Sequence, residues 1–530
     1  MKPIPQLFKQ LAMGLLFVAL TACSGSSNRS ASPALQLRLG GEPTVLNPVL
    51  STDAPSSSVE GLIFSGLFRI NPDLALEPDL VERYTVNTPG TKYTFYLKKN
   101  VNWHDGQPFT AHDVKFTVDA ILNPSTNTVR RSNFMIGDTP IQFKVLDEHT
   151  IQATLPQPFA PFLQRMTMGI LPSHLLKNVD INTATFNRNP IGTGPYKFRV
   201  WKAAQYVQLD RYDAHHLGAA KIASIMMKII PDANTALLTF EKGELDAAGI
   251  PAKDFDRYAK ESFLTIYRYY DLVYTYLGFN LEHPFFSDLR VRQAIAHAVD
   301  KRAIVNGVLK GFGTQADMPC SPVLWSYPDP STIPLFDFNP EKAKALLADA
   351  GFSMNKQTKL LEKNGQPFDF KIITNKGNKD REKAAQIIQR FLLDVGINAR
   401  IQLLEWSSLL KIVNATDTPK AYDAVILGWS LGLDPDAYAI WHSSQYPKGF
   451  NFIGYNNPSV DALLEKGRTT INQDERKRIY GTMYAKIAND VPYLFLYFPE
   501  TLQGINQRVN GLSKPGPAGL MNPIESVYLE

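Results

Sequence analysis

Only two of the 530 residues are cysteine, at positions 23 and 320. A chain of this length therefore folds without a disulfide framework, which suits a large domain whose core suffices by itself. Charge of one sign is scarce as well. With 55 basic against 50 acidic residues the formal charge is +5, too small and too dispersed to argue for a nucleic-acid surface. Signatures of phosphate, metal or dithiol chemistry are missing: no G-x-x-x-x-G-K-[ST], H-E-x-x-H or C-x-x-C occurs. Fragments that imitate such signatures have plainer readings. "GFGTQA" at Gly311 follows a helical pattern rather than a strand, so it is not a dinucleotide fingerprint. His215 and His216 beside Asp213 have no third ligand nearby and read as a surface turn. "WHDG" pairs His104 with Asp105, but Asp-Gly after a strand is first a turn signal. No metal site and no cofactor is expected.

The longest apolar stretch lies at the start. Lys2 and Lys9 precede "LAMGLLFVALTA", too short to stay as a spanning helix, and "LTAC" ends at Cys23. A small residue before cysteine and a leucine three positions earlier resemble the lipobox of bacterial lipoproteins. Residues 1–22 are thus expected to be a cleaved signal peptide, with Cys23 acylated and residues 23–34 a Ser-rich tether. Acyl chains would hold the protein on a membrane without crossing it. An exported, lipid-anchored protein of the cell envelope is implied, with Cys320 left without an intramolecular partner.

The remaining chain alternates strand and helix patterns with no internal repeat, an α/β reading with several lobes. "TKYTFYLKKNVNW" alternates as a strand, and Thr110 with Asp113 has capping-box spacing before "AHDVKFTVDAIL". "DLRVRQAIAHAVDKRAIVNGVLKG" reads as one helix closing on glycine. "NPEKAKALLADAGF" has Asn339 as cap, Pro340 in the first turn and Gly351 at the end, and "DREKAAQIIQRFLLDVG" repeats that grammar. Apolar strands "FDFKIIT" and "NARIQLLEW" follow. Aromatics are plentiful, 22 Tyr and 30 Phe, most of them core by expectation.

Residues 428–444, "GWSLGLDPDAYAIWHSS", gather Trp429, Tyr438, Trp441 and His442 around Asp434 and Asp436. "YDAVILGW" before them reads as a buried strand, and Asp-Pro-Asp opens a helix. Such a corner is either ligand-facing or an ordinary capped turn. Asp434 before Pro435 suits an N-cap, and Asp436 in the first turn complements the helix dipole.

Six blocks in order carry a family resemblance: "EPTVLNPVLSTD" from Glu42, "SGLFRINPDLALEPDLVERYTV" from Ser65, "TFYLKKNVNWHDGQPFTAHDVKFTVDAI" from Thr94, "NPIGTGPYKF" from Asn189, "YLGFN" with "DLRVRQAIAHAVDK" from Tyr276, and "NPSVDALLEKGR" from Asn457. Together they resemble the peptide/nickel-binding family of extracellular solute-binding proteins, family 5, over almost the whole chain. The resemblance implies a two-lobed fold with a hinge and an extra subdomain in the first lobe. On this chain that places the first lobe at 35–281 with the subdomain at about 71–189, the second at 282–498, and a return to the first at 499–530. It also implies a monomeric receptor, not an enzyme, that passes oligopeptides or a related small solute to the permease and ATPase of an ABC importer. Metal chelates, opines or oligosaccharides are the other solutes of such a scaffold, and a secreted hydrolase is the alternative outside it. In peptide-binding members an aspartate three places after the Gly-Trp tryptophan receives the peptide ammonium. Here Trp429 matches, but the aspartate position is Gly432. The expected ligand-binding residues are Trp429, Asp436, Asp434, Tyr438, Tyr274 and Asn280.

Overall fold

The computed structural model describes residues 34–530, and the signal segment and Cys23 lie outside the described residues. The first lobe is built on a four-stranded sheet in which Leu35–Leu39 runs parallel to Ser224–Ile229, followed by antiparallel Tyr206–Arg211 and Tyr196–Lys202. Between the first two of these strands in sequence lies an antiparallel sheet in the order Val81–Val86, Lys92–Leu97, Thr150–Thr154, Gln142–Asp147, backed by helix Ala111–Leu122. Thr110 caps that helix as its spacing predicts: the Thr110 N–H donates to Asp113 at 2.9 Å, and the His112 N–H donates to Thr110 Oγ1 at 3.3 Å. Val114, Val118 and Ile121 recur along one face and pack with Phe95 and Ile151 in a common core. Burying each contributes about 1.5–3 kcal/mol.

In the second lobe Asp369–Asn375 and Asn398–Leu404 run parallel, joined by helix Lys379–Asp394. Asn378 caps the helix, and Gly396 ends it at φ +85°, where a Cβ would meet Met354 and Leu361. The expected single helix at 288–311 is instead interrupted: Leu289–Ala298 stops, and Asp300 starts Lys301–Ile304 by accepting from Arg302 and Ala303 N–H. A side-chain acceptor two residues past the first helix offers the backbone a fresh start that competes with continuing it.

One fourteen-residue strand, Tyr493–Asn506, serves both lobes. Its first part pairs with Val273–Phe279 and Gly313–Gln315, its last part with Leu264–Tyr270 and Ala247–Gly249, and Pro499 sits at the change of partners. The cores divide accordingly. Leu35, Phe95, Ile225, Ile505 and Val527 share one cluster, while Leu277, Phe370, Ile426 and Leu494 share another. Val273–Phe279 belongs with the second lobe, since it pairs along its length with Ala424–Ser430 and Leu277 and Phe279 bury themselves there. The chain thus leaves the first lobe near Asp271 rather than at Leu281. The apolar run 272–279 gives no sequence signal of where the packing partner changes.

Candidate functional site

Strand Ala424–Ser430 is buried at its start and opens at its end, with Ser430 and Gly432 exposed. Antiparallel pairing to Val273–Phe279 matches Val273 with Ser430, and a further bond from Leu431 N–H to Leu272 C=O at 2.7 Å extends the ladder. In such a ladder alternate residues turn their N–H and C=O toward the partner. Leu431 and Trp429 therefore face it, while Gly428, Ser430 and Gly432 direct their backbone groups to the opposite edge. On that edge Asp369–Asn375 pairs only at Ala424 and Val425. The backbone beyond Ile426 is an unpaired strand edge.

The two faces of this strand end also differ. Trp429, Leu431 and Leu433 pack on the second-lobe cluster that holds Tyr274, Tyr276 and Trp441. The other face, carrying Gly428, Ser430 and Gly432, is covered lower down by helix Lys379–Asp394, and Ser430 and Gly432 above it are exposed. At the lower limit Arg381 lies over Gly428, where a Cβ would come within 2.9 Å of its Nη2. Among the described residues the one side-chain hydrogen bond of Arg381 goes to Asn375 Oδ1 at 2.9 Å, and no carboxylate pairs with it. Burial draws its pKa below the usual guanidinium value, against nearby Tyr497, Tyr276 and Asp380. Beside this point a cleft of about 700 Å³ runs between the lobes, with Arg38, Gly40 and Pro251 on one wall and Asn375, Gly377 and Lys379 on the other.

The lobes are closed upon each other around this face. Gly41 lies against Trp406, with room for a Cβ only at 3.0 Å, and Asn414 donates to Thr52 Oγ1 at 3.1 Å. At the opposite rim the Ala160 N–H donates to Arg468 C=O at 2.8 Å, and Arg468 donates to Ser132 C=O at 2.5 Å. There Asp436 is fully buried between Arg165 of the first lobe and Arg468 of the second, the latter at 3.1 Å. Burial alone would raise the Asp436 pKa, but the two guanidinium groups outweigh it and hold the carboxyl below its ordinary range.

Of the two aspartates expected to cap a helix or meet a ligand, Asp434 bonds no helical N–H, while Asp436 accepts the N–H of Tyr438 at 3.2 Å. Tyr438 is the first residue of the one-turn helix Tyr438–Trp441, and Ala437 before it offers no side-chain cap. Asp434 accepts both arms of Arg476 at 2.9 and 2.7 Å, and its remaining capacity fixes the Asp436 N–H at 2.9 Å. Both carboxylates are committed to arginines distant in sequence, so neither is left for a solute cation. Asn280 is committed too: it donates to Tyr422 C=O at 2.9 Å and accepts from Glu282 N–H at 3.1 Å. Tyr274 has no exposed surface, and its ring packs on Tyr276 and Phe495. Tyr438 stacks on His442 at 4.0 Å beneath Arg468 and lines a rim cavity of about 250 Å³ with Arg131 and Ser444. Trp429 is half-buried, stacked on Phe452 at 5.5 Å with its Nε1 donating to Tyr493 Oη at 3.4 Å. The imitations of chemistry resolve as structure. His104 bonds Gly194 C=O and Gly192 N–H, and Asp105 pairs with His174. His215 and His216 are buried rather than on a surface turn, with His216 on Asp79 at 2.6 Å. Among the described residues no group of His, Cys, Asp or Glu is arranged to hold a metal ion. Sequence reasoning passed over Arg381, Trp406 and Ser430, since a charged residue in a helix's first turn and a serine after tryptophan carry no signal of their own.

Two closed lobes, a shared strand and an open strand edge between them define a binding protein rather than a catalyst. The family described as bacterial extracellular solute-binding proteins, family 5 middle, matches residues 75–451, and the chain belongs to it. It is similar to the oligopeptide-binding protein AppA of Bacillus subtilis, 35% identical over 521 residues that cover 94% of each chain. The solved structure of that protein with a nonapeptide superposes with a TM-score of 0.89 at 34% identity, covering 94% of this chain and 99% of the other. NikZ from Campylobacter jejuni in complex with Ni(L-His) follows at a TM-score of 0.84 and 31% identity, with 94% and 99% covered.

Proposed function

We propose that this protein is the exported receptor of an ABC importer, held to a membrane by lipid on Cys23, and that it captures oligopeptides between its lobes for delivery to a permease. The observation that carries the peptide reading is the unpaired edge at Gly428, Ser430 and Gly432. An extended peptide added there satisfies its own main chain whatever its side chains are. Similarity to the peptide-bound AppA structure supports the same solute class. A chelate, opine or oligosaccharide is the competing solute within the fold, and the similarity to NikZ with Ni(L-His) favours a chelate among these.

Mass spectrometry of what co-purifies with the full chain tests the solute. Peptides of mixed sequence support the reading, and a single chelate or sugar species overturns it. Small-angle scattering should show a smaller radius of gyration when peptide is added, because a ligand favours the form to which it binds better. Cys23→Ser should lose metabolic acyl labelling while Cys320→Ser keeps it. Equal labelling of both would remove the lipid anchor from the proposal.

A further inference from the structure

The face of the open strand end that turns to the first lobe carries a second charged group besides Arg381. Continuing the ladder past Leu272 and Leu431 sets Asp271 opposite Gly432, and residues directly opposed in an antiparallel pair project to the same face. Tyr269, two residues earlier and on that face too, packs against the first-lobe core, so the face is turned across the cleft. Asp271 is half-buried. Among the described residues its carboxylate accepts one hydrogen bond, from the Leu272 N–H at 2.7 Å, and no lysine, arginine or histidine pairs with it. Opposite it stands a glycine with an exposed surface, which leaves space beside the carboxylate.

This differs from Asp434, Asp436 and Glu42, whose carboxylates the protein itself satisfies. Asp434 and Asp436 hold arginines, and Glu42 holds the Trp201 Nε1 and the Ala204 N–H. A carboxylate withdrawn from water without a counter-ion is destabilised, and its pKa rises accordingly, burial being the cause and the Leu272 N–H the smaller opposing effect. A solute cation removes that penalty on binding.

We infer that Asp271 is the group that receives the ammonium of the bound solute, resting on the peptide reading above. Arg381, over Gly428, then stands at the other end of the same face, about 13 Å away for a strand rising ~3.3 Å per residue. A groove face negative at one end and positive at the other matches the polarity of a short extended zwitterion.

The test titrates the full chain and its Asp271→Asn variant with a pool of synthetic peptides of mixed length, each in free-amine and N-acetylated form. The parent should bind the free amines more than about tenfold tighter than the acetylated forms, as expected for a shielded charge pair. Asp271→Asn, which keeps the acceptor for Leu272, should bind both forms alike at the parent's acetylated level, and Asp271→Glu should restore part of the preference. Persistence of the full preference in Asp271→Asn overturns the assignment while leaving the peptide reading intact. A parent that binds neither form overturns both. The melting temperature of the solute-free variant separates a structural role: no decrease is expected, and a drop of several degrees overturns the inference.

Discussion

Asp436 and Asp271 are shielded from water in opposite ways. Asp436 is buried with its counter-ions supplied by the protein, one from each lobe, so its charge is satisfied only when Arg165 and Arg468 come together. Asp271 is half-buried with a single N–H for company. The protein completes one carboxylate by closing and leaves the other to be completed from outside. Sequence alone ranks them the other way. Asp-Pro-Asp beside a Gly-Trp attracts attention, whereas Asp271 is a lone acid inside "IYRYYDLVYTYLGF".

The largest expected effect comes from breaking the rim. Asp436→Asn leaves two guanidinium groups without their carboxylate, and removing one partner of a buried pair costs about 3–5 kcal/mol. Equilibrium unfolding in urea should show that loss, and the scattering profile should open. An unchanged profile with unchanged stability would mean that Asp436 does not hold the lobes. Asp434→Asn should come next, losing a two-armed bond to Arg476 at about 1.5–3 kcal/mol by the same unfolding measurement, without loss of peptide affinity in the folded fraction. Asn280→Ala should lose about 1–3 kcal/mol through the orphaned Tyr422 carbonyl and Glu282 N–H, again sparing affinity, which separates it from ligand contact.

The smallest effect is a difference in pH dependence. The Asp436 carboxyl is held below its ordinary value of 3.8, so its contribution is present above that value and is lost as pH falls through its depressed pKa. Asp271 is raised above 3.8. Its unfolded form gives up the proton first, so stability declines as pH rises from 3.8 through the raised pKa, while the neighbouring Tyr269 phenol, pushed up to about 12, stays protonated throughout. Solute-free Asp271→Asn should flatten that decline, and Asp436→Asn should remove the acid-side loss. Calorimetric melting across the acid range reads both, and identical slopes in the three proteins would deny that the two carboxylates differ.

What was legible in the sequence was local. Thr110 with Asp113 and Asn339 with Pro340 act within one turn, so spacing alone identifies them, and both caps are present. The strand "AVILGWS" is equally readable from its apolar run. The ion pairs of Asp434 and Asp436 were not legible because the partners lie elsewhere: Arg476 and Arg468 are 42 and 32 residues downstream, and Arg165 is 271 upstream. No window reports such pairs, and an arginine in the first turn of a helix, like Arg476, or in the last, like Arg468, looks like any solvated cation. The signal that points to Asp271 is weak but present. An acid that interrupts an aromatic, strand-forming run has either a solvent face or a partner, and the chain gives it no nearby cation.

Pro499 has a mechanical consequence. It lies where strand Tyr493–Asn506 exchanges one set of partners for the other, with Gly313 beside it and Tyr270 beside the next residue. A residue without an N–H cannot complete the ladder there, so bending concentrates at that point instead of spreading along the ribbon. Any rotation of the lobes about it sweeps distant points through long arcs and near points through short ones. Asp271, one residue past Tyr270, sits almost on the pivot, whereas Arg165 and Asp436 ride at the rim. Displacement between the lobes is therefore smallest beside Pro499 and largest at the Arg165–Asp436–Arg468 rim, which makes the rim the most sensitive gauge of any opening.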